Sequence, residues 1–275
     1  MIQKKLDFFL NKKYLINVYI YYKKYFNIML NKSYYPLISI ITVTFNSEKT
    51  IERTINSVLN QSYKNIEYII IDGLSSDKTV EIIEKYKGKI KYLSEVDNGI
   101  YDAFNKGLKL YSGDYVGFVN SDDFLLPNAM EILVKYANKY PEKDFIFGAV
   151  KKHWGTLYGY KPWKIYLSWG FYSSHSTGFF IKRSAAKKIG YYNLKYKYSS
   201  DYDYFYRMIV KENLKGIATR KDEIFGIFSR GGYSSTINFF DHMIECTRIR
   251  LDNGQNKIIV LISFVLKFLT NLKRL

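Results

Sequence analysis

Residues 36 to about 150 alternate apolar runs with amphipathic ones, and this alternation constrains the fold more than any other feature of the chain. Leu37-Ile38-Ser39-Ile40-Ile41-Thr42-Val43 is β-branched and nearly all apolar, as a strand covered on both faces must be. Asn46-Ser47-Glu48 then opens a helix with Ile51, Ile55, Val58 and Leu59 at helical spacing. A second strand over 66–71 ends at Asp72-Gly73, and Asp77 caps a helix carrying Val80, Ile82, Ile83 and Tyr86. A strand over 89–93, a helix over 101–111 and a strand over 115–119 follow. Pro127 starts another helix, and 145–150 reads as a fifth strand. Strands that alternate with helices pair in parallel through right-handed crossovers. The expected fold class is therefore α/β, a Rossmann-like α/β/α sandwich around a mixed, mostly parallel sheet.

Composition narrows the partners. The chain has 275 residues, 47% of them hydrophobic, which is enough for a large core and excludes disorder. Cys246 is the single cysteine, so no disulfide framework forms within the chain, and a reducing compartment is the natural setting. The net charge of +17 favours anionic partners: nucleotide phosphates, nucleic acid or an acidic membrane face. Nucleic acid is not expected. The Lys and Arg residues are scattered through both tails and the middle, and no helix-turn-helix or aromatic RNA-binding signature occurs.

Residues 151–200 are rich in aromatics, glycine and serine; a helix over 200–211 and a short strand over 223–228 follow. No linker separates the halves, so we read one domain over 36–235 whose second half completes a site built by the first. It is flanked by a basic, aromatic segment over 1–35 and a helical segment over 236–275. Within the latter, 258–272 is apolar except for Ser263, Lys267, Thr270 and Asn271. A bilayer span needs roughly 20 apolar residues. The run fits two arrangements: a basic amphipathic helix in a membrane interface, or one packed on the domain or on a second subunit.

Asn120-Ser121-Asp122-Asp123 closes the fourth strand and sets adjacent carboxylates where open α/β sheets bind ligands. Hard oxygens there suit Mg²⁺ or Mn²⁺ and, through the ion, a diphosphate. The same turn also serves as a plain helix cap. Ser199-Ser200-Asp201-Tyr202-Asp203-Tyr204 reads by itself first as an N-cap cluster and second as a carboxylate site.

Thr42-Val43-Thr44-Phe45-Asn46, Ile71-Asp72-Gly73-Leu74-Ser75-Ser76-Asp77, Asn98-Gly99-Ile100-Tyr101-Asp102-Ala103-Phe104-Asn105-Lys106-Gly107 and Asn120-Ser121-Asp122-Asp123 stand in order along one domain. Together they resemble family 2 glycosyltransferases, the bacterial members that build surface polysaccharides, over about 36–235. The resemblance implies a GT-A fold, a nucleotide-sugar donor (a UDP-sugar first), Mg²⁺ or Mn²⁺, and inverting hexosyl transfer to a lipid-linked or oligosaccharide acceptor. By the same resemblance Asp122 and Asp123 hold the metal, with Asp123 the direct ligand. Thr44, Asn46, Asp72, Asp97, Asp102, Asn105 and Asn120 line the nucleotide-sugar site. Asp201 is the general base, Asp203 stabilises the helix or orients the site, and Asp203, His175 and Arg230 stand by the acceptor pocket or a lid. Two positions depart from the family pattern: Gly73 stands where a second Asp is commoner, and Asn120 replaces an Asp. A lipid-linked acceptor would place the protein in the cytoplasm, peripheral on the anionic inner face of the cell membrane.

Two competing readings are weaker. A sugar nucleotidyltransferase would show a Gly-rich phosphate loop after the first strand, where this chain has Thr44-Phe45-Asn46-Ser47-Glu48. A catalytically inactive membrane-bound scaffold of the same fold would not need Asp122, Asp123 and Asp201.

Overall fold

A computed structural model describes residues 34–167, 176–232 and 237–271. By contacts the chain divides into Met1–Tyr35 and Pro36–Leu275. Of the first unit only Tyr34 and Tyr35 are described, so the expectations for 1–35 lie outside the described residues.

The second unit begins with β1 (Ile38–Thr44), α1 (Ile51–Leu59), β2 (Ile66–Asp72), α2 (Thr79–Glu84), β3 (Lys91–Ser94), α3 (Ile100–Leu110) and β4 (Tyr115–Phe118). It continues through β5 (Phe124–Leu125), α4 (Ala129–Lys139), β6 (Phe145–Phe147), β7 (Ala149–Lys152), β8 (Gly155–Leu157) and β9 (Phe179–Lys182). Then come α5 (Arg183–Ile189), α6 (Ser200–Tyr206), a π turn (Arg207–Lys211), β10 (Gly216–Ala218), β11 (Ile224–Ile227), α7 (Phe239–Asp252) and α8 (Lys257–Thr270).

The main sheet has the order β10-β6-β9-β4-β1-β2-β3. Its β1–β2, β1–β4, β2–β3 and β6–β10 pairs are parallel, and β9 runs antiparallel to both β4 and β6. Strand parity builds a core on each face. Ile41 and Val43 of β1 point into one cluster with Phe104 and Leu108 of α3 and with Phe205 of α6. Ile38 and Ile40 point into the other with Ile55 and Val58 of α1 and Leu133 of α4. This is the expected sandwich around a mostly parallel sheet, and it explains why β1 reads as almost continuously apolar.

Connectivity also fixes where a ligand belongs. From β1 the chain proceeds outward to β2 and β3, then returns to the other side of β1 to form β4. The crevice at such a reversal, outside the carboxyl ends of the strands, is where open α/β sheets bind. The strand ends are flush there: Thr44 pairs with Asp72, and Asp72 with Ser94.

The expected fifth strand over 145–150 is two strands in two sheets. β6 joins the main sheet, whereas β7 joins a smaller one of order β5-β11-β7-β8. The break is at Gly148, where a Cβ would lie 2.1 Å from Cγ of Phe225. The Phe225 ring fills the place of a side chain, and the backbone crosses beneath it. The expected helix over 200–211 narrows to α6, with its end widened into the π turn. Among the described residues no helix is long and apolar enough to cross a membrane.

Candidate active site

The loops after β1 and β2 are tied to each other before any ligand arrives. Asn46 holds a left-handed φ of 47°, which its short polar side chain tolerates. From there its Oδ1 accepts the Ser76 N–H at 2.9 Å, and its own N–H donates to Ser75 Oγ at 2.8 Å. Asp77 accepts N–H groups from Thr79 and Glu48, joining the start of α2 to the turn before α1. Asp72 is fully buried. Its Oδ2 accepts from Ser75 N–H at 3.0 Å and Ser94 Oγ at 2.7 Å, and its Oδ1 accepts from Ser75 Oγ. Asp72 therefore braces the strand ends instead of offering its oxygens to a nucleotide. The departure at Gly73 has a geometric reason: a Cβ there would come within 2.5 Å of Asp97 Oδ2. Asp97 fills that space while its Oδ1 accepts the Gly99 N–H at 2.9 Å.

The Asn120–Asp123 turn is held from α1. Thr54 Oγ1 donates to the carbonyls of Ser121 (2.9 Å) and Asp123 (2.6 Å), and Arg53 donates to the Asp122 carbonyl at 2.7 Å. Ser47 Oγ meets Ser121 Oγ at 2.9 Å. This bracing separates the two carboxylates. Asp123 is 0% exposed; its Oδ2 accepts from Thr177 Oγ1 at 2.6 Å and its Oδ1 from the Ser229 N–H at 2.9 Å. Burial, and then the neighbouring Asp122 charge, push its pKa up to about 7 despite those donors. Asp122 is only partly buried, and its carboxylate accepts no hydrogen bond from another residue among those described. Burial raises its pKa, and Arg53 partly offsets this. Asp123, expected as the direct metal ligand, is a buried strut for β11 and the Thr177 turn, and Asp122 presents the available oxygens.

Donor chemistry tests the fit of Mg²⁺ or Mn²⁺. Two buried oxygens have no partner at the ends of adjacent strands: Thr44 Oγ1 on β1, and Asn120 Oδ1 just past β4. With Asp122 they are hard-oxygen donors at or just past the carboxyl ends of the neighbouring strands β1 and β4. Among the described residues no three His, Cys, Asp or Glu side chains cluster to cage an ion. A Mg²⁺ site built from one or two carboxylates and substrate phosphates needs no such cage. The residues therefore fit the ion. Lys152 adds a cation facing Asp123, its pKa lowered by burial. The charge of Arg230 reaches His153 on the same side.

Asp201 lies in the first turn of α6, which starts after Ser199. Its Oδ1 accepts the Tyr101 hydroxyl at 3.1 Å and the Tyr202 N–H at 2.8 Å. Tyr101 is in the first turn of α3, so this contact brings Asp201 to the carboxyl end of the sheet. Burial raises the Asp201 pKa against those two donors. Asp203 points the other way. It pairs with Arg207 at 2.8 Å and accepts from Asn253 of α7 at 2.9 Å, so it ties α6 to α7.

Other expected residues serve the scaffold. Asn105 is buried and bonds the backbone of Tyr192 through both ends of its amide, at 2.9 and 2.8 Å. Asp102 accepts the Asn98 N–H at 3.0 Å and steadies the start of its own helix. Arg230 is exposed in the loop after β11. His175 lies outside the described residues. Sequence reasoning missed Arg53, Thr54, Lys152, Thr177 and Ser229. Thr54 had a signal, a polar residue on the apolar stripe of Ile51, Ile55 and Val58; Thr177 and Ser229 stand within two residues of the expected His175 and Arg230, and Arg53 and Lys152 had none.

Comparison with known proteins agrees with this geometry. Residues 39–213 match the family model described as Glycosyl transferase family 2. An uncharacterized glycosyltransferase of Rickettsia typhi is 31% identical over 194 residues, covering 66% of this chain and 61% of the relative. A chondroitin synthase of Pasteurella multocida is 35% identical over 103 residues, 36% of this chain and 11% of that one. The chain thus spans about three fifths of the length of the first curated relatives. Among solved structures, S. aureus TarS 1-349 in complex with UDP-GlcNAc aligns with a TM-score of 0.65 at 20% identity, covering 85% of this chain and 72% of that one. The mannosyltransferase PcManGT from Pyrobaculum calidifontis, in complex with GDP-Man and Mn2+, gives 0.60 at 15% identity, covering 84% and 68%. These likenesses identify the fold as GT-A.

Proposed function

The chain belongs to glycosyl transferase family 2, and from that premise we propose that it moves a sugar from a nucleotide-sugar donor to a saccharide acceptor with inversion at the anomeric carbon. The observation that carries the reading is the division of labour between the adjacent carboxylates. Asp123 accepts from Thr177 and Ser229, whereas among the described residues the Asp122 carboxylate accepts from no other residue and Asn120 Oδ1, two positions before it, has no partner. A fold that braces one Asp so fully in order to present the next is built to hold something at Asp122.

In this reading Asp122 and Asn120 would hold a divalent ion together with the donor diphosphate. The ion, when bound, offsets the negative charge that develops on the leaving nucleoside diphosphate. Asp201 takes the proton of the acceptor hydroxyl on the oxygen that Tyr101 does not occupy. The hydroxyl oxygen then bonds to the anomeric carbon as the bond to the diphosphate breaks. The raised pKa of Asp201 suits this role, because a more basic carboxylate is a better proton acceptor. Tyr101 fixes its orientation. The acceptor is a lipid-linked saccharide or an oligosaccharide; the similarity to a segment of chondroitin synthase supports a saccharide. The neighbours solved with UDP-GlcNAc and with GDP-Man and Mn2+ support a nucleotide-sugar and an ion without choosing the base.

The test is calorimetric titration of the full chain with UDP-, GDP- and dTDP-sugars, with Mn²⁺ and with chelator. Metal-dependent binding of one nucleotide class is expected. Binding of none, or binding indifferent to chelator, would refute the proposal.

A further inference from the structure

The last described helix is packed inside out. α8 buries Val260, Ser263 and Lys267 and turns Ile258, Leu261, Ile262, Val265, Leu266 and Leu269 outward, each between 44% and 68% exposed. These outward positions recur three and four residues apart, so they form one continuous apolar face. The inner face holds Val260 with two polar residues, Ser263 and Lys267, flanked by the half-buried Phe264 and Phe268. Lys267 lies against α7, where its charge reaches His242 and Cys246 and opposes that of the buried Arg250. In water alone the hydrophobic effect would turn such a helix the other way. The arrangement is not a stray end of chain: Asn256 caps α8 through its side chain, accepting the N–H groups of Ile258 and Ile259.

Charge and length select the occupant. The chain carries +17, Lys257 opens the helix, and Lys273-Arg274 follow it in the sequence. A chain this basic repels a second copy of itself and is drawn to an anionic surface. Fourteen helical residues reach about 21 Å, short of the roughly 30 Å of a bilayer core. The helix therefore lies along an interface and does not cross it. We infer that the outward face of α8 is a membrane-docking surface that inserts into the head-group region of a bilayer rich in anionic lipid. This anchor does not depend on the donor chemistry proposed above. Its consequence is that the protein works at a membrane surface, where a lipid-linked acceptor is concentrated.

Sedimentation of the full chain with vesicles tests the inference, using phosphatidylcholine alone or mixed with phosphatidylglycerol. The parent is expected to pellet with the anionic vesicles at least about tenfold better than with neutral ones, and to be released by high salt. The combined Leu261→Ser, Ile262→Ser and Leu266→Ser variant should lose about tenfold in binding with its circular dichroism unchanged. Equal pelleting of variant and parent would overturn the assignment. So would a parent that ignores vesicles but forms a dimer that the variant dissociates, since the face would then belong to a second copy. A Leu266→Cys variant carrying a polarity-sensitive dye gives an independent reading that does not rest on the triple variant folding. Its emission should shift to the blue on anionic vesicles, and an unshifted emission from vesicle-bound protein would exclude α8 as the contact.

Discussion

Asp123 and His242 are expected to pull the stability of the metal-free protein in opposite directions as pH changes, and substituting either one exposes the other. Burial and the Asp122 charge raise the Asp123 pKa from 3.8 to about 7. The folded state therefore favours the protonated acid. The stability this contributes is complete below pH 3.8 and is lost as pH rises to 7, at about 1.4 kcal/mol per pH unit. Between pH 5 and 7.5 the loss is about 2.5 kcal/mol. His242 has its pKa lowered from 6.5 to about 4 by burial and then by the Lys267 charge. Its folded state favours the neutral ring, so its contribution is complete above pH 6.5 and is lost as pH falls through 4. From pH 5 to 7.5 it returns about 2 kcal/mol. Glu67 and Glu223, both held down to about 2 against the cost of burial by their hydrogen bonds and lysine partners, change stability only below pH 4.5. These two contributions nearly cancel from pH 5 to 7.5, and the raised carboxyls of Asp122 and Asp201 add a loss of stability as pH rises. Relative to the parent over that range, Asp123→Asn should gain about 2.5 kcal/mol and His242→Gln should lose about 2 kcal/mol. Urea unfolding in chelator at four pH values measures all three curves. If parent and Asp123→Asn differ by a constant amount, to within about 0.5 kcal/mol, the assignment of a buried, proton-holding Asp123 is wrong.

Asp122→Asn is expected to keep the fold and to abolish metal-stimulated binding of the donor; calorimetry with and without Mn²⁺ reads this, and undiminished stimulation would return the role to Asp123. Asp201→Asn should leave donor affinity unchanged while lowering turnover about 10²-fold or more, measured as nucleotide release. Gly148→Ala should cost about 1–3 kcal/mol in urea unfolding, because the new methyl meets the Phe225 ring where β6 passes into β7. A cost below about 0.5 kcal/mol would show that the ring moves aside freely.

The alternation over 36–150 was legible because its causes are local. A strand covered on both faces must be apolar throughout, and an amphipathic helix must show one stripe, whatever the rest of the chain does. Those signals fix the parallel core and the switch point, and with it the end of the sheet where Thr44, Asp72 and Asp122 gather. Boundaries set by distant packing were not legible. Nothing near residue 148 tells that Phe225, far along the chain, claims the space of its side chain and divides one strand into two.

The site divides along the same line. The sequence placed carboxylates at the strand ends, because a motif is a statement about neighbours in the chain. It did not separate Asp122 from Asp123, two identical side chains on adjacent residues. Thr177 and Ser229, 54 and 106 residues away, decide that difference by giving both their donors to Asp123. Asp72 and Asn105 follow the same logic, as their oxygens are spent on Ser94 and on the Tyr192 backbone. In α8 the composition announced an apolar helix, but only its packing on α7 set which side faces out. A carboxylate or a helix face is defined by what remains unpaired once folding has used its partners, and those partners are brought together only by the tertiary structure.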